Sequence, residues 1–124
     1  MKKVISTKAA PAAIGPYSQA IDLGNMVFIS GQIPVNPATG EIPEGIKAQT
    51  AQSISNIKAI LAEAGLSIDN VVKTPVFLAD MSLFGELNEV YGAEFTDPYP
   101  ARSAVAVREL PKQVLVEIET IAVR

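Results

Sequence analysis

RSAVAVRELPKQVLVEIETIAV, residues 102–123, decides the fold. Both ends of the stretch alternate with period two, the spacing of a strand with one covered face. At its start, Arg102, Ala104 and Ala106 share one face, while Ser103, Val105 and Val107 share the other. Towards its end, a strand is predicted over 114–123, with Val114, Val116, Ile118 and Ala122 forming an apolar face. Glu117 and Glu119 lie on the opposite face beside Leu115 and Ile121. Two strands therefore close the chain.

Upstream, VVKTPVFLA (71–79) reads as a buried strand, with Pro75 removing a ladder donor in its middle. A helix precedes it: Ile46, Ile54, Ile57, Leu61 and Ala64 recur at helical spacing, and Gly65 stands where a left-handed C-terminal cap belongs. A second helix is predicted to start near Ser82 as its N-cap, with Phe84, Leu87, Tyr91 and Phe95 on one stripe. Nearer the N-terminus, MVFIS (26–30) is a short apolar strand between the turn signal DLGN and the proline-punctuated loop GQIPVNPATGEIP. KAAPAAIGPYSQA (8–20) reads as an ordered surface loop leading into a strand. The order is strands, helix, strand, helix, two strands: an α+β domain over 1–124, with two helices on one side of a sheet. The other face puts Leu115, Ile121 and Val123 beside two glutamates with no third helix to cover them. A half-apolar sheet face of that kind packs on another subunit, so an oligomer is predicted.

Composition narrows the chemistry. The 124 residues are 48% hydrophobic, enough for one domain with a core. Charged residues make up only 19%, so much of the surface must be apolar or covered by a partner. The net charge is −3 and the ten Lys and Arg are scattered rather than striped, which argues against nucleic-acid binding. With no cysteine and no histidine, thiolate nucleophiles, imidazole bases and metals held by those residues are excluded. No apolar h-region follows the opening MKKVIST and no apolar run is long enough to span a membrane, so a cytoplasmic location is expected. There is no glycine-rich phosphate loop and no dinucleotide fingerprint, and no cofactor is expected.

Chemistry must then come from a few side chains. Glu117 and Glu119 sit about 7 Å apart on one strand face. They are either a solvated face or an ion pair with Arg102 or Arg108, or they include a partly buried carboxylate acting as a base beside an arginine that grips a substrate carboxylate. The planar fork of Arg102 suits the second role. Tyr17 is either a core aromatic or a pocket wall. Asn88, beside the Leu87 and Tyr91 stripe, is either a solvated or packing residue or a pocket group. Ser30 and Gly31 end an apolar strand, where glycine either permits a turn or lets a ligand approach the backbone.

Together, the stretches APAAIGPYSQAIDLGNMVFISGQIPVNPATGEIP, AQSISNIKAILAEAGLSIDNVVKT and YPARSAVAVRELPKQVLVEIETIAV resemble the reactive intermediate deaminase family (RidA, formerly YjgF) over nearly the whole chain. Pro-Ala-Arg-Ser at 100–103 and Val-Glu-Ile-Glu at 116–119 are the most specific parts. The resemblance implies a chorismate-mutase-like sheet, assembly as a homotrimer, and sites in the clefts between subunits. It implies hydrolysis of 2-aminoacrylate and 2-aminocrotonate, the enamine products of pyridoxal-phosphate-dependent dehydratases, and of their imines, to 2-keto acids and ammonia. By matching position, Arg102 grips the substrate carboxylate and Glu117 orients the attacking water, with Tyr17, Ser30, Gly31 and Asn88 lining the pocket. An imine carbon is already electrophilic, so a positioned water and a fixed substrate suffice.

Three departures from the family pattern stand out. Ala104 occupies a position where many members have cysteine, Pro75 interrupts a strand and would need a bulge there, and FTDPYPARS is shorter than in some relatives. The alternative to an enzyme is a non-catalytic module that binds small carboxylates or modulates a partner protein. A ribonuclease reading sits poorly with the acidic balance and the lack of histidine.

Overall fold

The computed structural model describes residues 1–124. Its elements are β1 (Lys3–Ile5), β2 (Ala20–Asp22), β3 (Met26–Gln32), α1 (Ile46–Glu63), β4 (Val71–Leu78), α2 (Phe84–Glu94), β5 (Ala101–Ala106) and β6 (Val116–Val123), with short 3₁₀ turns between some of them. The six strands form one mixed sheet in the order β1-β2-β3-β6-β4-β5. Only β4 and β5 pair in parallel, and α2 makes the crossover between them.

Alternation along β6 is unbroken, so burial switches at every residue from Val116 to Val123. Val116, Ile118, Thr120 and Ala122 face the helices; Glu117, Glu119, Ile121 and Val123 face away. On α1, Ile46, Ile54, Ile57, Ile60 and Leu61 supply the covering stripe, and Leu87 and Tyr91 on α2, with Phe95 just beyond its end, do the same. Each such aliphatic or aromatic side chain contributes about 1.5–3 kcal/mol by leaving water. The helix ends where expected: Gly65 takes φ +76, a conformation that costs glycine little, and Leu66 N–H donates back to the Leu61 carbonyl. No helix is long and apolar enough to cross a membrane.

Four local expectations need correction. Ser82 is not a helix cap. Asp80 caps the 3₁₀ turn Met81–Leu83 by accepting from Ser82 N–H, and α2 continues from it at Phe84 without a side-chain cap. The final strand starts at Val116, because Pro111–Gln113 forms a turn in which Lys112 and Gln113 both take positive φ. MVFIS does not stop at Ser30 either, since β3 runs on to Gln32 through a bulge. Pro75 causes no break: it pairs with Ser103 in regular register, and the irregularity in β4 lies between Val71 and Lys73. A proline removes a single donor, and the remaining ladder bonds hold the strand.

The second face of the sheet has no helix over it. Val4, Phe28, Val72 and Val105 are all exposed, beside half-buried Ile21, Phe77, Ile121 and Val123.

Candidate functional site

Arg102 enters the structure on β5, paired with Thr74 of β4. Thr74 is fully buried, so register places Arg102 on the helix-covered face. There its guanidinium carbon lies 4.7 Å from the centre of the Tyr91 ring and 5.3 Å from that of Phe84. Its Nη1 donates to Asn88 Oδ1 at 2.7 Å. Asn88 is therefore half-buried and engaged by Arg102, beyond mere packing. No carboxylate lies within 4.0 Å of Arg102, and Asn88 is its only hydrogen-bond acceptor in the chain. A cavity of about 390 Å³, walled by Asn88, Tyr91, Gly92, Tyr99, Pro100 and Arg102, opens beside it.

The rest of the expected site lies on the other face. Between the pairs Ile29↔Thr120 and Gln32↔Ile118, β3 has two residues, Ser30 and Gly31, where β6 has one, Glu119. This β-bulge turns the end of β3. It also brings the Gly31 backbone against Glu117: a Cβ built on Gly31 would sit 2.3 Å from Glu117 Oε2 and 2.8 Å from its Cδ. Glycine here serves close approach rather than a turn. Ser30 Oγ donates to the Ser18 carbonyl at 2.6 Å. Tyr17 is a wall rather than a core aromatic, 54% exposed, with its hydroxyl accepting from Ile14 N–H at 3.3 Å. It shares a cavity of about 230 Å³ with Gln19, Gly31 and Lys112.

Glu117 makes no ion pair within the chain, nor does Glu119. Burial pushes the Glu117 carboxyl above the usual glutamate range, and the charge of Glu119 adds to the shift. Of the alternatives for these carboxylates, an ion pair to Arg102 or Arg108 is not formed within one chain. Register explains why. Glu117 pairs with Phe77 on the uncovered face, and Arg102 pairs with Thr74 on the covered one.

Two polar side chains that sequence reasoning passed over organise the loops around these groups. Gln19, 3% exposed, donates through Nε2 to the carbonyls of Thr7, Ala10 and Pro11 and accepts Thr7 N–H at Oε1. It thereby holds the loop that leads to Tyr17. Asn56 on α1 donates to the Ile33 and Val35 carbonyls and fixes the chain leaving the bulge. Nothing local distinguishes these amides from solvated ones; their partners are remote in sequence.

The family model described as Endoribonuclease L-PSP matches residues 7–124. The 2-iminobutanoate/2-iminopropanoate deaminase of Escherichia coli is 55% identical over 127 aligned positions, covering 100% of this chain and 99% of that protein. Among solved structures, E. coli TdcF with bound serine superposes with a TM-score of 0.94 at 52% identity, covering 98% of each chain. RidA from the Antarctic bacterium Psychrobacter sp. PAMC 21119 gives 0.96 at 52% identity, covering 98% of this chain and 99% of that one.

Proposed function

This chain belongs to the reactive intermediate deaminase family, the Endoribonuclease L-PSP family, and from that premise we propose that it is a 2-iminobutanoate/2-iminopropanoate deaminase. It hydrolyses 2-aminocrotonate and 2-aminoacrylate, through their imine tautomers, to 2-ketobutyrate or pyruvate and ammonia. The observation that carries this reading is the Arg102 guanidinium, held by Asn88 and two rings yet without a carboxylate of its own. Such a group is built to receive a carboxylate from outside the chain.

The chemistry needs little more. Arg102 binds the substrate carboxylate and so fixes the C=N carbon. Glu117 accepts a proton from a water molecule as its oxygen bonds to that carbon; the C=N electron pair moves to nitrogen, which takes up a proton from solvent. In the tetrahedral adduct Glu117 returns its proton to the amine, the hydroxyl proton leaves to solvent, and the C–N bond breaks as C=O forms and ammonia departs. A carboxylate whose pKa lies above the usual glutamate range is a better proton acceptor, when ionised, than an ordinary one.

Arg102 and Glu117 lie on opposite faces of one sheet, so a working site takes them from different copies of the chain. The uncovered face, with Phe28, Val72 and Val105 exposed, is the surface on which the copies meet. The assembly is a homotrimer in which Tyr17, Ser30, Gly31 and Glu117 of one subunit face Arg102 and Asn88 of the next. Its substrates come from pyridoxal-phosphate-dependent dehydratases. The direct test couples a serine or threonine dehydratase to this protein. Pyruvate or 2-ketobutyrate should appear faster than from spontaneous hydrolysis, and light scattering should return about three chain masses. An unchanged rate refutes the activity, and a monomer refutes the shared site.

Two further results are expected. The acid limb of kcat/KM should lie above the ordinary glutamate range, because activity requires ionised Glu117 and falls as pH drops through its raised pKa. Glu119→Gln removes the neighbouring like charge, which lowers that pKa, so the limb should move to lower pH; a limb that stayed or rose would contradict the assignment. Gly31→Ala should leave melting nearly unchanged, since the atom it strikes is the mobile end of Glu117. It should nevertheless cost about 10- to 100-fold in kcat by displacing the carboxylate, which steady-state kinetics would read.

A further inference from the structure

We infer that Phe84 and Tyr91 are positioning residues for the proposed reaction, acting through Arg102: the two rings hold the guanidinium in the orientation that receives the substrate carboxylate. The inference rests on the reading of Arg102 as the carboxylate ligand. A guanidinium can be fixed by an acidic partner, by hydrogen bonds or by stacking. An acidic partner would satisfy its N–H groups and compete with the substrate, and none is present. A single hydrogen bond, from Nη1 to Asn88, leaves rotation about that contact free. The rings supply the remaining restraint. They lie 4.7 Å and 5.3 Å from the guanidinium carbon, within cation–π range, and occupy none of its N–H groups.

The inner ring is itself anchored. Tyr91 is 4% exposed, stacks on Phe95 at 4.3 Å between centroids, and shares a 2.5 Å hydrogen bond with Thr74 Oγ1. Thr74 is the register partner of Arg102 on the neighbouring strand. The strand that carries Arg102 and the ring that supports it are thus tied to one point in the core. Burial raises the Tyr91 pKa further, so the phenol stays neutral and brings no charge to compete for the arginine. Phe84 is half-buried on the first turn of α2 and completes the support from the helix. Binding energy is saved because the long arginine side chain is ordered before substrate arrives.

Phe84 is the ring to test, since it can change without opening the core. Phe84→Leu and Phe84→Met keep an apolar side chain but remove the ring face; Phe84→Tyr keeps the face. Each full-length variant, with Arg102→Ala, is titrated calorimetrically with 2-ketobutyrate and assayed in the dehydratase-coupled reaction. Leu and Met should raise Kd and KM by about 3- to 10-fold with kcat within about twofold, and Tyr should match the parent. Arg102→Ala should lose most of the binding. Parental binding by Leu and Met beside a defective Arg102→Ala overturns the positioning role alone. Equal weakening by Leu, Met and Tyr overturns it too, by assigning Phe84 to packing. If Arg102→Ala binds 2-ketobutyrate like the parent, the reading of Arg102 fails, and the positioning role with it.

Discussion

Glu117→Gln is expected to lower kcat by about 10²-fold with KM little changed. The amide preserves the shape that fits against Gly31, so the bulge should survive. What disappears is the proposed proton acceptor. General-base contributions run from about 10² to 10⁴, and the reactive imine puts this one at the lower end. Glu119→Gln, on the same face one pleat along, serves as the control and should cost little at neutral pH. Steady-state kinetics on 2-aminoacrylate would separate the two. Parental turnover in Glu117→Gln would leave the carboxylate without a chemical role, and a module that only binds small carboxylates would become the better description.

Arg102→Ala should raise KM by about 10- to 100-fold, the worth of a hydrogen-bonded contact to a charged group. Arg102→Lys should recover part of the loss and no more. An ammonium keeps the charge but cannot form the two parallel bonds of a guanidinium, and it stacks poorly on Phe84 and Tyr91. The opposite-face placement of Arg102 and Glu117 gives a sharper outcome. If each site draws its arginine and its glutamate from different subunits, as proposed, Arg102→Ala chains co-refolded with Glu117→Gln chains should regain about a quarter of parental activity. No recovery on mixing would place both groups in one subunit's site, against the register.

Much of this was legible in the chain itself. Strand alternation is a local property, so the faces of β5 and β6 and the apolar stripes of the helices followed from spacing alone. Gly65 marked the end of α1 for an equally local reason, its freedom at positive φ. The family motifs around Arg102 and Glu117 were also visible as residue strings. The cap at Asp80 is not legible locally because Ser82 and Asp80 are both good caps, and the 3₁₀ turn that chooses between them shows no periodicity of its own.

What tertiary structure alone decided is which groups meet. Alternation says that Arg102 and Glu117 each choose a face but not that the faces differ, because that depends on the pairing of β5 and β6 with β4 between them. The bulge at Ser30 and Gly31 depends on a count against β6, about ninety residues further along the chain. Asn88, Phe84 and Tyr91 reach Arg102 only because α2 crosses over the sheet to join two parallel strands. Local spacing determines what each segment can be, whereas register and crossover are set by contacts between distant segments, and the candidate site is made of those contacts.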